Sequence, residues 1–261
     1  MGNAELEKTK NITAAVFSIT IFLLIWQCSV SFSSLGRLMP GPAAILSAFF
    51  RSFTVPIGKY NIMQHTLFSL SRVLIAYSVA CVVGISLGLL MGRVRLIEAI
   101  FRPFYEIIRP IPPIAWISLA ILWFGLGEMT KYFLIFLSAF ANVTYTAMAG
   151  ASSVDPTLVG AARMLGAKNS RLFTTVVLPS TAPYIFSGMQ VALGTSWATV
   201  VAAEMVRSSE GVGWIIVSGM EINNITQILV GILSIGIMGY LLATLLRFLE
   251  KIILSWNVGG V

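Results

Sequence analysis

The sequence predicts an all-α, polytopic membrane protein with six transmembrane helices, and three observations lead there. Hydrophobic residues make up 57% of the 261 positions and charged residues only 10%. An average soluble domain carries about 25% charged residues, so this chain lacks the side chains to cover a water-soluble surface. Six runs with few or no charges approach the roughly 20 residues needed to cross about 30 Å of hydrocarbon. They lie at 12–31, 67–92, 111–127, 132–151, 180–203 and 225–246. Finally, the basic residues fall between the apolar runs instead of clustering as a nucleic-acid surface would require, despite a net charge of +7. No internal repeat, low-complexity tract or soluble domain interrupts the pattern, and residues 1–261 read as a single transmembrane domain.

The first run follows Lys8 and Lys10 as a signal peptide would, but no A-x-A-like cleavage pattern comes after it, so a retained span is expected. The connection 32–66 contains MPGPAAILSAFFRSF, in which Pro40 and Pro42 break the chain before an amphipathic stretch expected on the outer membrane surface. His65 has no partner ligands and reads as a polar residue near a helix start. In the second run Gly84, Gly88 and Gly92 form one small-residue face, fit for internal packing or for a subunit interface. The third run opens with RPIPPIAW, residues 109–116, whose three prolines predict a broken or kinked helix. Gly125-Leu126-Gly127 and Glu128 close it with a short turn.

Polar groups within the later runs are candidates for a hydrophilic path: Asn142, Tyr145, Gln190, Ser196 and Thr199. Hydroxyls there have the alternative of bonding back to their own helix. Glu204 follows the apolar run 198–203, which places it either in a cavity or just outside the membrane; an ionisable group at membrane depth is a functional candidate. Near it lie Arg207, Glu210 and Glu221, around Gly211-Val212-Gly213.

With the amino terminus in the cytoplasm, eleven of seventeen basic residues face inward: Lys8, Lys10, Arg93, Arg95, Arg102, Arg109, Arg163, Lys168, Arg171, Arg247 and Lys251. Arg37, Arg51, Lys59, Arg72, Lys131 and Arg207 face out, the first four in one long connection. The positive-inside rule then puts both termini in the cytoplasm.

The segment 152–179 is a polar island on that inner side. Asp155 is a good N-cap and Pro156 suits the first helical position, while Leu158, Ala161, Ala162 and Leu165 share one face and Gly166 ends the helix. Ala161-Ala162, Gly166 and Leu178-Pro179 have the spacing E-A-A-x3-G-x9-I-x-L-P, so the segment resembles the cytoplasmic EAA loop of ABC-importer permeases. Gly160 replaces the motif Glu, removing one salt bridge to an ATPase, and Val176 replaces Ile. Further stretches over residues 38–256, including RPIPPIAWISLAILWFGLGE, SVDPTLVGAARMLGA and VAAEMVRSSEGVGWII, are similar to permeases of the taurine, aliphatic sulfonate, nitrate and bicarbonate importer group. The resemblance implies a type I importer fold in the inner membrane. It also implies two permease copies, typically a homodimer, a cytoplasmic ABC ATPase dimer that carries the ATP and Mg, and an extracytoplasmic solute-binding protein. Asp155, Leu158, Gly160, Ala161, Ala162, Arg163, Leu165, Gly166 and Pro179 would couple to the ATPase. A sulfonate, nitrate, bicarbonate or similar small anion would be the solute.

Enzyme chemistry has no foothold in the chain. Cys28 and Cys81 stand in separate apolar stretches, and neither a metal-ligand cluster nor a carboxylate pair at helical spacing occurs. GAARMLGAK, residues 160–168, fails as a Walker A because five residues separate its glycines and Ala167 precedes the lysine. No cofactor is expected on this chain. The competing readings are a self-sufficient secondary transporter or channel coupled through Glu204 or Arg72, and a polytopic membrane enzyme; six spans with no inverted repeat disfavour the former.

Overall fold

The computed structural model describes residues 2–33, 36 and 38–256. Arg37 and the side chain of Lys8, both counted in the charge balance, lie outside the described residues. Among the described residues eleven α-helices follow one another: α1 (Gly2–Phe32), α2 (Pro42–Arg51), α3 (Ile62–Arg93), α4 (Arg95–Ile108), α5 (Ile117–Phe124), α6 (Glu128–Ser152), α7 (Pro156–Met164), α8 (Asn169–Leu172), α9 (Leu178–Arg207), α10 (Val212–Glu221) and α11 (Ile225–Ile253). Five segments are long and apolar enough to cross a membrane, and a bent pair makes a sixth crossing when its halves are taken together.

That bent pair corrects the predicted third span. The run 111–127 holds only a 3₁₀ turn, Pro113–Trp116, and the eight-residue α5. Twelve helical residues rise roughly 20 Å, short of the hydrocarbon thickness. Pro110, Pro112 and Pro113 have no N–H to continue the ladder from α4, and the chain turns by 87° across the break. The crossing therefore needs α4 as well as α5.

The packed centre is α3 against α6 and α6 against α9. Val73, Ala76, Tyr77 and Ala80 of α3 meet Ile135, Ala139 and Val143 of α6 and Ala192, Leu193, Trp197 and Val200 of α9, joined by Leu242 and Leu246 of α11. Ala76, Ala80, Ala139 and Ala192 let the helices come close, and close contact supplies the attraction because hydrocarbon outside is as apolar as a leucine side chain. The glycine face of α3 is an internal contact of this kind: a Cβ on Gly88 would stand 2.5 Å from Thr144 O, and one on Gly92 would stand 2.6 Å from Ala151 Cβ. Both neighbours belong to α6. By contrast, α1 touches α2 and leaves its apolar span unburied.

Local signals fix the helix ends. Asn61 and Gln64 form a capping box at the start of α3, each side chain accepting the other's backbone N–H at 2.9 and 3.0 Å. The segment 169–177, expected as loop, instead runs on from α8 through a π-helical turn, Phe173–Val177, into α9, making a continuous helix of 39 residues, Asn169–Arg207. Pro179 explains the turn, since it cannot donate to Thr175 O and its ring displaces that carbonyl.

Substituting Gly88 by Val should lower stability by at least about 1–3 kcal/mol, as overpacking against a backbone carbonyl does. The thermal unfolding midpoint in detergent measures this. Gly194→Ala, where a Cβ meets open space, should leave that midpoint within a degree or two of the native protein.

Candidate functional site

Two polar sites interrupt the apolar bundle. The first is created by the break between α4 and α5, which holds the Arg109–Trp116 segment against α6 and α9. A cavity of about 170 Å³ remains there, lined by Ile108, Arg109, Ile111, Pro113 and Trp116 on one wall and by Leu137, Ser138, Ala141, Asn142 and Thr195 on the other. Asn142 Nδ2 donates to Ser138 O at 2.9 Å and to Thr195 Oγ1 at 3.2 Å. The Arg109 guanidinium stacks 3.8 Å above the centre of the Tyr145 ring, a cation–π contact. At 1.5 Å per residue, Asn142 stands about 21 Å from one end of α6 and about 15 Å from the other, near mid-depth.

Of the predicted path residues, the structure brings Asn142 and Tyr145 together here and puts the others elsewhere. Thr199 bonds back to Thr195 O at 2.8 Å, and the buried hydroxyl of Ser196 has no hydrogen-bond partner. Gln190 donates to Glu250 Oε2 at 2.5 Å, tying α9 to the end of α11. Arg109, counted among the cytoplasmic charges, was missed as a lining residue, as were Ser138 and Thr195.

The second site surrounds Glu204 at the opposite end of α9 from Pro179. Glu204 is fully buried. Its carboxylate accepts from Arg72 Nη1 at 2.8 Å, from Ser69 Oγ at 2.8 Å and from the Gly213 N–H at 3.0 Å. Arg72 also forks onto Glu128, at 2.6 and 2.8 Å, and reaches Glu210 at 3.1 Å; Lys131 Nζ joins Glu128 at 2.7 Å. Arg72 and Lys131, assigned by charge counting to external loops, are thus buried within α3 and α6.

The turn 208–211 wraps this carboxylate. Gly211, at φ +110°, has no room for a Cβ beside Glu204, and Gly213 packs against Glu204 Cβ. His65 is part of the same wrap instead of a bland polar residue at a helix start: its Nδ1 accepts the Gly211 N–H at 3.1 Å, so the proton sits on Nε2, which donates to Ile57 O at 3.0 Å. Its ring stacks on Trp214 with centroids 5.1 Å apart. His65, Ser69 and Arg72 share one face of α3 at i, i+4 and i+7, a polar stripe in an apolar run that was the available sequence signal.

At the far end of the bundle, α7 has no buried residue. Asp155 caps it, accepting the Thr157 N–H at 2.8 Å, and this bond holds the exposed carboxyl below its ordinary pKa. The helix ends in a Schellman motif: Ala167 N–H reaches Ala162 O at 3.0 Å and Gly166 N–H reaches Arg163 O at 2.9 Å, with Gly166 at φ +80°. Leu158, Met164 and Leu165 project outward, Leu165 being 89% exposed. Pro179 lies beyond the π turn, at the start of α9.

A bundle of membrane-crossing helices with a small polar cleft at mid-depth and an exposed helix at one end is the arrangement of a transport permease. Residues 82–256 match the family of binding-protein-dependent transport system inner membrane components, and the chain belongs to it. It is 32% identical to the taurine transport system permease protein of Escherichia coli over 95% of this chain and 91% of that one. Identity is 30% to the nitrate import permease protein of a Synechocystis strain, covering 90% and 87%, and 32% to the bicarbonate transport system permease protein of Synechococcus elongatus, covering 95% and 91%. The fold is similar to that of a chain of the MetNI methionine ABC transporter in an inward-facing conformation, with a TM-score of 0.56, 19% identity, and 72% of this chain and 91% of that chain covered. The protein is accordingly a membrane permease subunit of an ATP-driven importer, and not itself an enzyme.

Arg72→Ala strands Glu204 without its counter-charge and should cost about 3–5 kcal/mol, whereas Glu204→Gln, which keeps the shape and the Ser69 contact, should cost less. Thermal unfolding of the two variants in detergent checks the order. Equal losses, or a harmless Arg72→Ala, would show that the pair does not hold the bundle together.

Proposed function

We propose that this permease forms half of a translocation path for a small anion, a sulfonate, nitrate, bicarbonate or similar oxyanion, and that α7 with its flanking turns is the coupling helix for a separate ABC ATPase. The similarity to taurine, nitrate and bicarbonate permeases supports the solute class. The observation that carries the coupling role is α7 itself. It is capped at both ends, has no buried residue and presents Leu158, Met164 and Leu165 to a partner, as an element seated in another protein's cleft requires. ATP and Mg belong to that partner, and an extracytoplasmic solute-binding protein delivers the substrate.

Charge supports an orientation with α7 and both termini in the cytoplasm. Arg93 and Arg95 at the α3–α4 joint, Arg163, Lys168 and Arg171 around α7, and Arg247 and Lys251 in α11 all gather toward one end. Removing buried Arg72 and Lys131 from the external tally sharpens this bias, while Arg109 leaves the internal one. A second copy of the chain completes the path as a homodimer. ATP binding would close the ATPase dimer, draw the paired coupling helices together and open the path outward, and hydrolysis would reset it inward.

Gly166→Trp tests the coupling role. Gly166 has a left-handed φ that a bulky L-residue fits poorly, and its surroundings are open, so the change distorts the surface of α7 without touching the bundle. Native protein should co-purify in detergent with the ATPase encoded in the same genome. The variant should stay in the membrane but lose the ATPase or uncouple its hydrolysis from transport, and normal transport by the variant would remove α7 from this role.

A further inference from the structure

The cleft beside the helix break carries charge of one sign only. Its polar lining is Arg109, Ser138, Asn142 and Thr195, with no carboxylate. Among the described residues the Arg109 guanidinium makes no ion pair and no hydrogen bond; its partner is the face of Tyr145. Buried Arg72, by contrast, is matched by three carboxylates. Ser138 on the facing wall is buried, 3% exposed. Arg109 is exposed at the mouth of the cleft, and a cation without an acidic partner attracts an anion from whatever enters. The guanidinium is suited to the oxygens of a planar or tetrahedral oxyanion, because it offers a rigid fork of N–H donors and is never deprotonated.

We propose that Arg109, with Ser138, Asn142 and Thr195, is an anion-selecting station in the translocation path. A small oxyanion or sulfonate rests there between the guanidinium and the Ser138 hydroxyl, against the wall of Ile108, Ile111, Pro113 and Trp116, while Thr195, whose proton goes to Ala192 O at 3.1 Å, holds Asn142 in place. This deepens the assignment of the cleft to the path and rests on it. The cavity of about 170 Å³ limits the occupant. At about 30 Å³ per water in the liquid, it holds the equivalent of five or six waters, enough for a solute of a few heavy atoms. Tyr145 fixes the guanidinium over its ring and keeps it from folding away to the membrane surface, so Tyr145 is a positioning residue.

Trp116 on the cavity wall reports occupancy. Its emission is isolated by subtracting the Trp116→Phe protein from the native one, both full-length in lipid nanodiscs at constant ionic strength. Iodide, caesium and acrylamide serve as anionic, cationic and neutral quenchers. Iodide should quench the Trp116 component at least threefold more strongly than caesium, and nitrate or methanesulfonate should relieve that quenching. Arg109→Gln should bring the iodide constant down to the caesium value with acrylamide unchanged, and Arg109→Lys should keep the preference for iodide. Equal iodide and caesium quenching in native protein would overturn the proposal, as would an iodide constant indifferent to Arg109→Gln. If Arg109→Gln fails to fold, competition by nitrate in native protein and the response of Arg109→Lys decide the matter. No ATP or ATPase takes part, so a negative result leaves the importer assignment standing, and failed co-purification of the ATPase leaves the quenching result standing.

Discussion

Burying a carboxylate obliges a fold to bring a cation to it, and Glu204 imposes that obligation on nearly every element at its end of the bundle. Arg72 must come from α3, the matching Glu128 from the first turn of α6, and Glu210 from the turn after α9. The backbone is drawn in as well, since the Gly213 N–H and, through Ser69, the Val212 N–H complete the set. Taking these charges out of water costs several kcal/mol per ion, and only a nearly complete set of partners offsets it. What the cluster contributes is a fixed relation of helices: α3, α6, α9 and the start of α10 cannot slide along one another without separating charge from charge. Greasy helices in lipid have few other means of choosing a register.

The same bundle is irregular where movement is useful. Three prolines interrupt the α4–α5 crossing and open a polar cleft at mid-depth. Pro179 forces a π turn where the long α9 leaves the surface. A rigid clasp at one end, a broken helix in the middle and an exposed coupling element at the other divide the labour of an alternating-access device along its length.

The sequence made the helices, the caps of α7 and the left-handed turn at Gly166 legible, because these depend on neighbours a few residues away. It also announced that 109–116 would not continue a helix. The true span there was not legible: the apolar run is long enough on paper, and only the geometry shows that the prolines leave α5 with eight residues. The charges misled for a different reason. Counting Arg72 and Lys131 as loop residues treats every cation as solvated, while their partners stand 56 and 132 positions along the chain for Arg72. Long-range pairing of this kind leaves only an indirect trace, the stripe of His65, Ser69 and Arg72 on one helical face.

That separation along the chain has a consequence for how the molecule is made. Arg72 leaves the ribosome 132 residues before Glu204, which at about 5–20 residues per second is a wait of roughly 7–26 seconds. During that interval α3 has to be inserted while its cation lacks its deepest counter-charge, and even Glu128 is 56 residues behind. Water at the membrane boundary or the translocation machinery must shelter the guanidinium until α9 arrives. The clasp around buried Arg72 and Glu204 therefore stays incomplete for much of synthesis, and biogenesis is complete only when α9 and the turn beyond it close over Arg72.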